Sequence, residues 1–198
     1  IHAARKQNAI VIGHDWGAMV AWWTTLLYPE KISKLGILNV PHPHIMMQTL
    51  RTKPSQALKS LYVGFFQIPW LPEKLISMNA LNAFAGGLQK DANPGSFTDD
   101  DIAQYREAWD QPNAMTSMLN WYRAYVQKPP KDPQSWRIST PTLMMWGTKD
   151  QFLSAEMAQP SIDLCEKGEL HLLNNATHWV QHDAAEQVNK LIGDFLHD

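Results

Sequence analysis

Cys165 is the only cysteine among 198 residues, so neither an internal disulfide framework nor a cysteine-built zinc cage is available, and the chain fits a reducing compartment. Excess charge of one sign is missing too. Lysine and arginine number 17 against 19 aspartates and glutamates, a formal charge of −2, and basic residues never run five together. That removes the electrostatic case for nucleic acid or an anionic membrane as a partner. No apolar stretch approaches the roughly 18 residues of a membrane span, and no secretory leader is recognisable. The expectation is a cytoplasmic protein, membrane-held only if a preceding segment supplied an anchor. What the chain does have is apolar weight. Apolar residues make up 44% and charged residues 18%, with nine tryptophans. Such a composition excludes disorder, collagen and coiled coil and predicts a sizeable core.

Four short apolar runs read as buried parallel strands: residues 9–12, 35–38, 142–146 and, more weakly, 170–173. A helical pattern at 18–27, closed near Tyr28-Pro29, and others at about 154–165 and 183–196 alternate with them. Strand–helix alternation implies an α/β layer with a parallel sheet. Between Pro43 and Arg137 the strand signal disappears, and helical patterns fall at about 54–66, 72–84, 99–109 and 112–126. The expected organisation is a core segment over 1–42, an inserted helical cap over 43–137 and a second core segment over 138–198, with Pro129-Pro130-Lys131-Asp132-Pro133 as the return linker.

Gly13-His14-Asp15-Trp16-Gly17 joins the first strand to the first helix. The pattern small-x-nucleophile-x-Gly is a sharp elbow that lifts one side chain above a parallel sheet, with glycines for the tight turn. Serine usually occupies that place, and here it is Asp15. A serine alkoxide attacking saturated carbon would leave a dead-end ether. A carboxylate attacking the same carbon leaves an ester whose carbonyl belongs to the protein and which water can cleave. It is also ionised near neutral pH without help from a base. An elbow aspartate therefore points to an epoxide or an alkyl halide. Its other reading is a turn residue capping the helix.

Asp150, in Trp146-Gly147-Thr148-Lys149-Asp150, follows the third strand, and His178, in Asn175-Ala176-Thr177-His178-Trp179, follows the fourth. Each read singly is a turn acid or a packed loop histidine. Together they complete the order nucleophile, acid, histidine, each beyond the carboxyl end of a strand. In that constellation Asp150 fixes the tautomer of His178 and stabilises its cation, while His178 takes a proton from water.

The elbow Gly-His-Asp-Trp-Gly-Ala, the following Tyr28-Pro29-Glu30, and Asn39-Val40-Pro41-His42-Pro43 resemble soluble-type epoxide hydrolases of the α/β-hydrolase fold. Residues 62–69 (Tyr-Val-Gly-Phe-Phe-Gln-Ile-Pro) and Asn120-Trp121-Tyr122-Arg123 are similar to the two cap segments that carry that family's tyrosines. The resemblance implies that Tyr62 and Tyr122 hydrogen-bond the epoxide oxygen as the ring opens. It implies an α/β-hydrolase core with a helical cap, and a cofactor-free, metal-free enzyme turning a small hydrophobic epoxide and water into a vicinal diol. The backbone N–H of Trp16 becomes an oxyanion donor, and Trp70, Trp109 and Trp121 become candidates for lining the substrate pocket. Haloalkane dehalogenases share the elbow and are the alternative, with a non-catalytic relative serving binding as a third. The sequence departs from the family in one respect. No His-Gly-x-Pro segment occurs, and eight residues precede the first strand. One oxyanion donor and the strands flanking the elbow strand are thus expected to belong to a longer parent protein, and the 198 residues alone are expected to turn over poorly.

Overall fold

The structure, a computed structural model, describes residues 1–77 and 80–197. Contacts divide the described chain into two compact units, one formed by Ile1–Ala57 with Asp132–Asp198 and the other by Leu58–Lys131.

The first unit is built on four parallel strands in the order β1 (Ala9–His14), β2 (Ile32–Leu38), β3 (Thr142–Gly147) and β4 (Gly168–Leu173). Helix α1 (Trp16–Leu27) follows β1, α2 (Pro43–Thr52) follows β2, and the first part of α3 (Pro54–Lys59) completes this segment. After β3 come a single 3-10 turn and the short α9 (Ala158–Ile162); after β4 come α10 (Val180–Asp183) and α11 (Ala185–His197). β3 is buried at every position, as its apolar run requires. Side chains alternate across it. Met144 and Trp146 join Leu35, Ile37, Trp22 and Ala158 in one core cluster, while Leu143 and Met145 join Leu38, Leu173, Val188 and Phe195 in another. The period-2 alternation thus puts helices on both faces of the sheet. Each large apolar side chain removed from water contributes about 1.5–3 kcal/mol.

Several expectations are corrected here. β1 is not buried on both faces: Ile10 and Ile12, two apart and so on one face, are 45% and 41% exposed, and among the described residues β1 pairs with β2 alone. The sequence gives no periodic signal for α2, which starts on Pro43 at its first position with His42 as N-cap, accepting a hydrogen bond from the His44 N–H. The pattern at 154–165 yields a 3-10 turn over Ala155–Met157 and the five residues of α9. Gly13 and Gly17 do not share one role. A Cβ on Gly13 would lie 2.5 Å from the Gly17 carbonyl, whereas a Cβ on Gly17 would meet nothing within 4 Å among the described residues.

The second unit is helical: α4 (Leu61–Phe65), α5 (Leu71–Ser77), α6 (Ala80–Asp91), α7 (Asp99–Trp109) and α8 (Ala114–Gln127). Part of the helical pattern at 72–84, residues 78 and 79, lies outside the described residues. Thr98 opens α7 with a capping box, its hydroxyl accepting from the Asp101 N–H and its own N–H donating to the Asp101 carboxylate. The divisions by contact fall at 57/58 and 131/132, inside the 43–137 cap read from the sequence, for a physical reason. Ile45 belongs to the first core cluster, and buried Gln56 bonds the backbone of Phe152 and Ser154. Trp136 packs on Trp23, His42 and His44. Both flanks of the sequence-read cap are therefore tied to the strand-bearing unit.

Candidate active site

The site is assembled from the carboxyl ends of the strands. Asp15 sits between β1 and α1 with φ of 50° and ψ of −126°, a left-handed conformation that costs a residue with a Cβ about 1–3 kcal/mol. Close approach of Gly13 to the backbone of Gly17 and Ala18 forces that sharp turn. The Asp15 side chain makes no capping hydrogen bond and is 48% exposed. The polypeptide thus holds a strained backbone to present a carboxylate rather than to close a helix end.

Asp150 is the opposite case, with a side chain entirely shielded from solvent. Its Oδ1 accepts from the backbone N–H groups of Phe152 (2.8 Å) and Leu153 (2.9 Å). Its Oδ2 lies 2.7 Å from Nδ1 of His178 and accepts from Nδ2 of Asn39 at 2.8 Å. Four donors converge on one carboxylate, and the proton on the Asp150 side of the imidazole is fixed on Nδ1. Nε2 of His178 then faces Oδ1 of Asp15 at 3.8 Å, too far for a hydrogen bond and close enough for strong charge interaction. Gly147 closes this corner, since a Cβ there would stand 2.0 Å from the Thr177 carbonyl.

His14 is drawn into the same group. Its Nε2 lies 2.8 Å from the backbone carbonyl of His178, and its Nδ1 lies 3.3 Å from Nε2 of Gln181. A carbonyl only accepts, so Nε2 carries the hydrogen and Nδ1 receives the amide of Gln181. The ring also packs 4.7 Å from the His178 ring.

The two histidines are driven apart in basicity. Burial works against the His178 cation, but the carboxylates of Asp15 and Asp150 outweigh it and raise its pKa from 6.5 to about 9. Burial, joined by the charge of His178, lowers His14 to about 4. For Asp15, burial pushes the carboxyl upward, but His178, then His14 and the Trp16 N–H, outweigh it and hold the group below its ordinary value. The resting site is therefore a carboxylate on each side of an imidazolium, with a neutral second imidazole behind it.

In the helical unit, the tyrosines marked by the sequence are neighbours. The Tyr62 and Tyr122 rings stand 5.7 Å apart, and Phe66 packs on both, at 5.5 and 4.9 Å. Arg123 fastens this corner: it donates to the carbonyls of Phe66 and Ile68 and makes a two-pronged pair with Glu73. Gln67 adds a bond to the Tyr122 carbonyl.

A family model for the alpha/beta hydrolase fold matches residues 3–185. The chain belongs to that family. This α/β hydrolase is 40% identical over 190 residues to the AB hydrolase superfamily protein YfhM of Bacillus subtilis, covering 96% of the chain and 66% of that protein. It is 37% identical over 195 residues to human epoxide hydrolase 4, covering 96% of the chain and 53% of the human protein. A crystal structure of a mutant Bacillus megaterium epoxide hydrolase, complexed with its naphthyloxy-propane-1,2-diol product, superposes with a TM-score of 0.85 at 25% identity, covering 100% of this chain and 72% of that one. The chain thus spans two thirds or less of the length of these two curated relatives, and it is an epoxide-hydrolase-like member of the family. Among the described residues no helix is long and apolar enough to cross a membrane.

The three tryptophans read as pocket candidates have dissimilar surroundings in this α/β hydrolase. Trp109 packs against Phe84 and Tyr105 within the helical unit. Trp70 and Trp121 are 69% and 50% exposed, and Trp70 holds a left-handed φ of 56°. Trp16 is the first residue of α1, so its backbone N–H lies at the helix start beside the Asp15 carboxylate. Two members of the group escaped the sequence reading. Asn39 appears there only within the segment Asn39-Val40-Pro41-His42-Pro43 and His14 only within the elbow, neither with a role in the site. The available signal for Asn39 was its place: an amide just past the carboxyl end of the strand beside β3.

Proposed function

We propose that this chain carries the machinery of an epoxide hydrolase working through a covalent ester on Asp15. The observation that carries the reading is a carboxylate at the strained elbow with a buried, acid-backed imidazole 3.8 Å from it. The Asp15 carboxylate attacks a ring carbon, the carbon–oxygen bond breaks, and the leaving oxygen, which stays on the substrate, takes a proton. Tyr62 and Tyr122 are the proposed donors, since a phenol is protonated at neutral pH and acidic enough to serve an alkoxide. Their mutual contact favours the epoxide over a halide, whose departure needs no proton. The product of the step is a neutral ester. One of the two carboxylates that hold the proton on His178 has then lost its charge, so the imidazolium becomes a stronger acid and gives up that proton, through solvent, to the tyrosinate left by ring opening. Free Nε2 next takes a proton from water, hydroxide adds to the ester carbonyl, and the Trp16 N–H helps hold the oxyanion. Collapse breaks the bond between the acyl carbon and the alkyl oxygen, the departing alkoxide takes the proton of the new Asp15 carboxyl, and the diol leaves with Asp15 again a carboxylate and His178 again a cation. Atoms balance as epoxide plus water to diol, with no cofactor.

The epoxide hydrolases among the relatives support the substrate class. The test is a single turnover in ¹⁸O-water. Label is expected in the Asp15 carboxylate, with unlabelled oxygen in the diol; label confined to the diol would mean direct hydration and end the covalent reading. Tyr62→Phe with Tyr122→Phe is expected to slow adduct formation by about 10²–10⁴. Unchanged epoxide turnover in that double variant, with better turnover of haloalkanes, would install the dehalogenase reading instead.

A further inference from the structure

The amide of Asn39 lies in the strand-bearing unit, wholly buried, and every polar atom of its side chain is occupied. Its Oδ1 accepts the Gly147 N–H at 2.9 Å, and its Nδ2 donates to Oδ2 of Asp150 at 2.8 Å and reaches the Thr177 carbonyl at 3.3 Å. The orientation of the amide is not arbitrary. Gly147 N–H can only donate, so the atom facing it is oxygen, and the NH₂ group must face Asp150. The backbone of Asn39 is left-handed, with φ of 54°, a conformation asparagine tolerates better than other residues with a Cβ. This single side chain ties the ends of β2 and β3 to the loop that carries His178.

Without it, Asp150 would retain the two backbone donors on Oδ1, which fix one oxygen and leave the other to settle by itself. Oδ2 would then have one partner, His178, and the pair could move together. With it, Oδ2 has two donors from different directions and is pinned. We propose that Asn39 is a positioning residue, which locks Oδ2 of Asp150 so that His178 is held with Nδ1–H toward the acid and Nε2 toward Asp15. The inference rests on the covalent reading for its kinetic consequence but not for its structural one.

The test uses two variants of the purified protein. Asn39→Asp is nearly isosteric and keeps an acceptor for Gly147, but sets an oxygen against Oδ2 of Asp150. Asn39→Gly suits the backbone and removes the donor altogether. The first readout is an NMR titration of the His178 imidazole, which needs no substrate. The charged groups facing that ring are Asp15 and Asp150, with the His14 imidazole behind it. Taking an N–H from Asp150 leaves its charge less neutralised, and adding a carboxylate beside it goes further. The His178 pKa is therefore expected to rise in the order wild type, Asn39→Gly, Asn39→Asp, with the last displaced by about one pH unit or more. The second readout is breakdown of the alkyl-enzyme adduct, expected to slow about tenfold or more in both variants while adduct formation changes less. A merely structural tie would alter stability and leave the titration alone. If either folded variant titrates His178 as wild type does, the proposal is overturned. Should Asn39→Asp fail to fold, Asn39→Gly decides. If wild type forms no adduct, the covalent reading fails on its own, and the titration still judges Asn39.

Discussion

Asp15 and Asp150 are the same side chain in opposite circumstances. Asp150 is shielded from solvent and accepts from four donors. Asp15 is half-exposed, sits on a strained backbone and has no capping bond. A carboxylate whose lone pairs are all engaged is a poor nucleophile and a good anchor. One whose oxygens are only loosely engaged, beside an imidazolium, can attack. On the proposed covalent reading, the difference in surroundings, rather than any difference in chemistry, separates the acid that holds from the acid that reacts.

The sharpest way to break the comparison is to neutralise each carboxylate in turn. Asp15→Asn is expected to reduce epoxide turnover by about 10⁶-fold, the loss typical of removing a nucleophile, while stability falls by no more than the lost attraction to His178, about 1 kcal/mol. Asp150→Asn is expected to cost turnover about 10⁴-fold and stability about 1–3 kcal/mol, since one buried donor is left facing another. Steady-state kinetics and melting curves on the two variants would show whether rate and stability separate in this way. A smaller effect tests the corner around Asp150. Gly147→Ala, whose Cβ would press on the Thr177 carbonyl at 2.0 Å, is expected to lose about 1–3 kcal/mol in denaturant melts, whereas Gly17→Ala has room and should stay within about 0.5 kcal/mol.

The smallest effect is electrostatic. A group whose pKa is raised on folding stabilises fully below its unfolded value and loses that contribution as pH climbs through the folded value. For His178 that window runs from 6.5 to about 9. Asp15→Asn removes one of the two carboxylates responsible, so the His178 pKa should drop between those limits and the alkaline loss of stability should shrink. Chemical denaturation at a series of pH values checks the sign. A variant whose alkaline limb matches wild type would mean that Asp15 does not hold the proton on His178.

Much of this arrangement was legible from residue order. β2 and β3 declare themselves as apolar runs because both their faces are covered, and Asp15, Asp150 and His178 declare themselves by following strand ends in sequence. α7 agrees with its pattern from Asp99 to Trp109 because a capping box starts it. What stayed hidden depends on partners distant in the chain. Asn39 bonds groups 108, 111 and 138 positions away, and nothing within its own segment reveals them. The exposure of Ile10 and Ile12 is likewise invisible locally, since an apolar run reads the same whether one face of a strand is covered or both. α2 escaped because its start is marked by a histidine cap and a proline rather than by periodicity.

The contact between His14 and the His178 carbonyl spans 164 positions. During synthesis, then, the elbow emerges from the ribosome long before the residue that finishes its chemistry. A chain halted short of His178 would own a nucleophile and no base to discharge it. Given the covalent reading, an epoxide meeting such a truncated but folded product would be captured once and kept. Premature termination would convert a catalyst into a stoichiometric trap rather than into an inert stub.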